Sequence, residues 1–241
     1  MPGGTLTTSA ATDLSQADGC FIAYAAHELR GEISLQLMLA EAALADPNAD
    51  TATLTEMGEQ VAAACERQQR LLEALLTLAR SEYGRLQREP IDLATTAAQA
   101  LRAHDHHGLT STTALEPART TGDPQLIERL VANLVDNAVR HNVPGGRLDI
   151  ATHTAAGRAT LTIASTGPRI PADELTRLFQ PFQRLSSHAD PTANGVGLGL
   201  AIVQAIANAH DATVTAHART GGGLRIEIDF PAQDVAETPP A

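Results

Sequence analysis

An α+β fold, in which a helical hairpin precedes a domain of mixed strands and helices, is what three features of this 241-residue sequence predict. Two long N-terminal stretches repeat apolar residues every three or four positions, as helices that pack along a seam do. After Arg88-Glu89-Pro90 the pattern changes to short alternating runs interleaved with helical ones, which suits a sheet with helices on it. Aromatic residues are 2% of the chain and Trp is absent, so the core must be built from Leu, Ile, Val and abundant Ala, a composition that favours helix.

Taken in order, residues 1–16 are rich in Gly, Thr, Ser and Ala and read as a flexible tail. A first helix begins near Ala17 and carries Ile22, Ala26, Leu29, Ile33, Leu37, Ala40 and Leu44 on one seam, until Asp46-Pro47-Asn48 ends it. A second runs from Thr53 with Leu54, Met57, Val61, Ala64, Leu71, Leu75 and Leu78, and fades at Tyr83-Gly84. A lone hairpin covers one side of each seam, so residues 17–84 are expected to pair with a second copy as a four-helix bundle. Residues 85–92 read as a linker, and 93–231 as a second domain.

In that domain the spacing predicts a helix from Leu93 to about Ala103 and a short strand around Ser111–Leu115. Asp123-Pro124 is a strong helix start, with a side-chain acceptor at the N-cap and Pro in the first turn, for a helix reaching about His141. Arg147 to Thr154 and Arg158 to Ser165 alternate around Ala155-Ala156-Gly157 as a strand hairpin. A short helix Ala172 to Phe179, a mobile loop Phe182 to Asn194, a helix Leu198 to His210, and strands Thr213 to Ala218 and Leu224 to Phe230 follow, then a loose tail over 232–241.

The net charge of −11 argues against nucleic acid or an anionic membrane as partner. Every basic residue is Arg, which excludes a P-loop and its lysine. Cys20 and Cys65 are isolated and fit a reducing cytoplasm. No apolar run reaches the roughly 18 residues that span a bilayer, and no signal peptide is evident. A cytoplasmic protein, or the cytoplasmic portion of a membrane-bound one, is expected. His104-Asp105-His106-His107 has the composition of a metal site without ligand spacing and reads as a solvated loop.

Two segments carry chemistry. Asn133 and Asn137 lie four apart, so on a helix their amides share one face and can offer oxygens to Mg²⁺. Gly195-Val196-Gly197-Leu198-Gly199 opens a later helix and leaves backbone N–H groups uncovered for phosphate. Together they read as an ATP site. His27 sits one residue beyond the apolar seam, about 100° round the helix from Ala26, so its imidazole faces solvent as a nucleophile beside Glu28.

These residues resemble a sensor histidine kinase of two-component signalling. Ala26-His27-Glu28-Leu29-Arg30 is similar to the phosphoacceptor box, and Asn133 to Asn137 to the asparagine box. Ser165-Thr166-Gly167-Pro168 resembles the first glycine box, Phe179-Gln180-Pro181-Phe182 the phenylalanine box, and Gly195 to Gly199 the second glycine box. The match spans roughly Ala17 to Phe230 in the family's order. It implies a dimerisation and phosphoacceptor hairpin followed by an α/β sandwich with a mixed sheet, the ATP-binding domain of the gyrase and histidine kinase superfamily. It further implies His27 as phosphoacceptor and Glu28 as general base, with ATP held by Asn133, Asn137, Arg140, Ser165, Gly167, Gly195, Gly197, Leu198 and Gly199, and Mg²⁺ on Asn137. The implied partners are the receiver domain of a response regulator, a second copy of the chain, and a sensor supplied separately or by a region outside this sequence.

Three positions depart from the family's pattern. Ser165 stands where Asp usually accepts from the adenine amino group, and Arg169 where Gly is common. Gly31-Glu32 replaces a polar residue and Pro, and the polar residue's task is to orient water for dephosphorylating the regulator, so weak phosphatase activity is expected. These departures motivate the alternative of a degenerate, non-catalytic dimeric nucleotide-binding or scaffold module.

Overall fold

A computed structural model describes residues 30–31, 33–45, 50–83, 86–104, 108–171, 174–175, 177–183 and 197–233. The N-terminal tail, the start of the first helix with His27 and Glu28, the Asp46-Pro47-Asn48 turn, the loop through Gly195 and residues 234–241 lie outside the described residues. The chain divides into two compact units, one ending at Glu73 and one beginning at Ala74.

In the first unit, residues 33–45 form α1, and Thr51–Tyr83 forms α2, whose last turns belong to the second unit. Asp50 caps α2, its carboxylate accepting from the Thr53 N–H at 2.8 Å and hydroxyl at 2.7 Å. Those bonds, the backbone one first, hold the Asp50 carboxyl below its ordinary pKa. The two helices meet where Gln36 Nε2 donates to Cys65 Sγ at 3.3 Å. Ala64 and Leu71 are buried, whereas Ile33, Leu37, Met38 and Leu44 of the predicted first helix stand more than half exposed.

The second unit is built on a five-stranded mixed sheet. In chain order come β1 (Glu89–Asp92), α3 (Leu93–Ala103), β2 (Thr110–Leu115), β3 (Arg119–Gly122), α4 (Pro124–Arg140), β4 (Arg147–Ala155), β5 (Arg158–Ser165), a 3-10 turn (Arg177–Phe179), α5 (Gly199–Ala209), β6 (Thr213–Ala218) and β7 (Leu224–Pro231). The sheet order is β2-β4-β5-β7-β6, with β2 parallel to β4 and the other pairs antiparallel. Alternation decides its two faces. Leu148, Ile150, Leu161, Ile163, Ile226, Ile228 and Phe230 are buried with α4 residues Ile127, Leu130, Val131 and Leu134. The intervening Asp149, Thr162, Arg225 and Glu227 are polar, and Thr160 donates to Asp229 Oδ1 across the strands at 2.6 Å. The β4–β5 turn is closed by Ala156 and Gly157, both at positive φ, the two-residue loop that matches strand twist.

Two expectations are corrected. Within the segment read as linker, Glu89–Asp92 is a strand paired antiparallel with Arg119–Gly122, for which no sequence expectation existed. Four-residue strands give too little alternation to read, and Pro90 demotes such a run, yet Pro is tolerated because β1 pairs on one side only among the described residues. The expected helix from Ala172 is reduced in its described part to the 3-10 turn Arg177–Phe179, bracketed by Pro171 and Pro181.

His210 ties the ends of two helices together. At the C-cap of α5 its Nδ1 donates to Ile206 O at 2.7 Å, which leaves Nε2 to accept from the Asp123 N–H at 3.0 Å. Asp123 caps α4 through Leu126 N, and its other oxygen pairs with Arg80 of α2 at 2.9 Å. The approach needs Gly122, because a Cβ there would stand 2.5 Å from His210 Cδ2 and 2.7 Å from Ile127 Cδ1. His210 is 1% exposed, and burial, opposed by the Ile206 bond and by nearby Asp123 and Asp211 and aided by Arg88, lowers its pKa. The folded pKa lies below the unfolded value, so the unfolded chain takes up the proton first. The stability of the neutral form is then complete above about pH 6.5 and is lost as pH falls towards the folded value. Melting followed by circular dichroism is expected to show this decline, and His210→Gln to flatten it; an equal slope in the variant contradicts the assignment.

Candidate functional site

The site begins on α4, whose apolar residues Leu126, Ile127, Leu130, Val131, Leu134, Val135 and Ala138 bury one face and leave Asn133 and Asn137 half-buried along its margin. Asn133 faces the opening of α5, since a side-chain carbon built on Gly199 would stand 3.9 Å from Asn133 Oδ1. Asn133 Nδ2 is buried and has no hydrogen-bond partner among the described residues. Such an orphan is costly and marks a place for an acceptor. The N-cap of α5 is Leu198, which is buried and supplies no side-chain cap. The first N–H groups of α5 therefore retain their capacity for an anion.

The glycines hold this opening in place. Gly197 has φ +72°, and a Cβ there would lie 3.0 Å from Phe182 C and from Gln183 O. Phe182, itself at φ +63°, donates its N–H to Gly197 O at 2.9 Å. The phenylalanine segment is thus stitched to the glycine run through its backbone. Gly195 lies outside the described residues.

The other half lies at the end of β5. Ser165 is buried, flanked in the sheet by Leu148 and Leu224, and the chain then turns through Gly167. A Cβ on Gly167 would meet His141 O at 2.7 Å, so this turn rests against the end of α4. From the other side Gly222 and Gly223, at φ +91° and +100°, press on it. Added carbons there would come within 2.4 Å of Gly167 O and 2.0 Å of Ser165 O. Arg169 is exposed rather than turned inward. Arg140 is ion-paired with Asp136 one turn back, at 3.1 Å.

Sequence reasoning passed over Asn142 and the Gly221-Gly222-Gly223 turn, and gave Thr166 of the first glycine box no role of its own, although all lie against the named residues. A glycine triplet between two strands was the available signal for the turn. The residues present suit a nucleotide, with an orphaned amide donor and an uncapped helix start for phosphate, and amide oxygens on the same helix for a divalent cation.

Comparison with known proteins agrees with this geometry. Residues 122–234 match the family of histidine kinase-, DNA gyrase B-, and HSP90-like ATPases. Sensor protein CutS of Streptomyces coelicolor is 40% identical over 216 residues, covering 88% of this chain and 52% of CutS. The chain thus spans about half the length of this curated relative. Among solved structures, Acinetobacter baumannii histidine kinase AdeS is 27% identical with a TM-score of 0.66, covering 86% of this chain and 98% of that one. Histidine kinase ThkA in complex with response regulator protein TrrA shares the fold at TM-score 0.69 and 18% identity, over 92% of this chain and 64% of that one.

The glycine packing gives a paired expectation. Gly223→Ala is expected to cost about 2–3 kcal/mol or more through strain and collision with Ser165 O, whereas Gly221→Ala, with open space around it, changes stability by about 0.5 kcal/mol or less. Urea denaturation of the two variants checks this; equal losses contradict the packing.

Proposed function

Because the chain belongs to the sensor histidine kinase family, we propose that it autophosphorylates His27 from ATP and passes the phosphoryl group to an aspartate of a separate response regulator. The observation that carries this reading is the approach of Asn133, on the α4 margin that also carries Asn137, to the uncapped start of α5 at Gly199. The first-turn N–H groups of α5, with Gly197 and Leu198, receive phosphate, and Asn133 donates to it through its orphaned amide. Asn137 would hold Mg²⁺ with help from Asn133, and the bound ion supplies charge neutralisation on the phosphate oxygens. Ser165 and Gly167 line the base half, and Arg140 is one turn from Asn137 and adds positive charge near the phosphates when released from Asp136.

In the transfer itself a neutral ring nitrogen of His27 forms a bond to the γ-phosphorus as the bond to the bridging oxygen breaks, leaving ADP. Glu28 takes or orients the ring proton. The exposed Ile33, Leu37, Met38 and Leu44 support homodimerisation, which covers that seam with a second hairpin. The complex of ThkA with TrrA supports a receiver domain as the second partner. Input comes from a separate sensor protein or a sensor region outside this sequence. No described helix is long and apolar enough to cross a membrane, and the proposed place of work is the cytoplasm, where ATP is. A second reading, a degenerate scaffold of the same family, is favoured only by Ser165 in place of an acidic residue and by Gly31.

Incubation with γ-labelled ATP and Mg²⁺ is expected to yield acid-labile label that His27→Gln abolishes. No label at millimolar ATP favours the scaffold, and acid-stable label points to serine or threonine. Phosphatase activity towards the phosphorylated regulator is expected to be weak and to rise in Gly31→Thr, since open space surrounds a carbon added at Gly31. Rapid dephosphorylation by the unaltered chain, not accelerated by that substitution, contradicts the proposed consequence of Gly31.

A further inference from the structure

We infer that Asn142 and Thr166 form a positioning clamp that sets the phosphate half of the nucleotide site against its base half. Asn142 lies two residues beyond α4, where the N–H groups of His141 and Asn142 still bond back to Asn137 O and Val139 O. Its side chain makes four hydrogen bonds. Nδ2 donates to Ala138 O at 3.1 Å and to Arg147 O at 3.0 Å, while Oδ1 accepts from Val143 N at 2.9 Å and from the Thr166 hydroxyl at 2.6 Å. Two donors and two acceptor sites are all that an amide has, so every one is used. Thr166 Oγ1 in turn accepts from Arg147 N at 2.7 Å, and Thr166 N donates to Arg147 O at 3.0 Å.

Apart from the local bond to Val143 N, these bonds join elements that the nucleotide must see together. Ala138 follows Asn137 on α4, Arg147 starts β4, and Thr166 stands between Ser165 and Gly167. The site is shaped to admit the pair. A Cβ on Gly146 would fall 2.0 Å from Asn142 Oδ1 and 2.3 Å from Thr166 Oγ1, so only glycine leaves room for the clamp. Neither side chain needs to touch the ligand. Their bonds fix how far the Ser165–Gly167 turn stands from Asn133 and Asn137, and a bound nucleotide spans that distance. Loss of the Thr166 hydroxyl leaves Asn142 Oδ1 and Arg147 N each short of one partner, and lets the turn drift from α4.

This inference rests on the nucleotide-site reading, and its test separates the two. Equilibrium binding of a fluorescent ATP analogue and the KM and kcat of autophosphorylation are compared for wild type, Thr166→Val and Thr166→Ser. The wild type is expected to bind. Thr166→Val is expected to bind about tenfold more weakly, equivalent to about 1.4 kcal/mol, with KM raised in proportion and kcat within about twofold, and Thr166→Ser to restore both. Weakened binding without serine rescue, or binding within about twofold of wild type in a Thr166→Val protein that melts earlier, assigns the pair a structural role only and overturns the inference. Should Thr166→Val fail to fold, Thr166→Ala, which adds no bulk, takes its place in the same comparison. Absence of binding by the wild-type chain overturns the nucleotide-site reading, and this inference with it.

Discussion

The bond between the Asp123 N–H and His210 Nε2 sets the register on which the site depends. It joins the start of α4 to the end of α5, so the two helices run past each other in opposite senses. At 1.5 Å per residue, the eleven steps from His210 back to Gly199 cover roughly 16 Å, and the same distance along α4 from Asp123 arrives beside Asn133. That is where Gly199 faces Asn133 Oδ1. A histidine with no chemical task thus determines which residues of α4 meet the uncapped turn of α5. Two further contacts hold it: Gly122 leaves room for the ring, and Asp123 anchors the same corner to Arg80.

The opposite end of α4 is fixed by different means. There the strands leave no space for side chains, and backbone meets backbone: Gly167 against His141 O, Gly223 against Ser165 O, Gly222 against Gly167 O. Close approach of this kind is rigid because any added carbon collides. It is also demanding, since polar backbone groups in such a place require partners, and Asn142 and Thr166 supply them. The site is consequently held at one end by a buried imidazole and at the other by an amide whose bonds are all used.

How legible this was in the sequence depended on whether a signal was local. Asp123-Pro124 announces α4, and its cap is made as the residue types require, through Leu126 N. The strand pair β4 and β5 follows from alternation and a Gly-containing turn, and α3 was readable from its apolar spacing. The pairing of β1 with β3 was not, because a four-residue strand is defined by its partner and not by its own pattern. The same holds for the polar anchors. Nine histidines occur in the chain, and nothing near His210 in sequence marks it as the buried one among those described; its partner Asp123 is eighty-seven residues away. The Asn133 and Asn137 face was readable from spacing, whereas the Asn142 and Thr166 bond links residues twenty-four apart and becomes visible only once β5 lies beside α4.

The distribution of charge explains why dipoles matter so much at this site. A triphosphate brings several negative charges to a chain that is already at −11 and lacks lysine, so long-range repulsion opposes binding. Arg140, the cation nearest Asn137 along α4, is paired with Asp136 and so contributes a nearly neutral couple until it is released. The remaining attraction is local: N–H groups at the start of α5, the amide of Asn133, and a metal ion on Asn137 in the proposed function. Local dipoles act over a few ångströms and fall away steeply with misplacement, unlike a net charge. A site that relies on them must be held to within fractions of an ångström, and that is the physical reason for a rigid anchor at each end of α4.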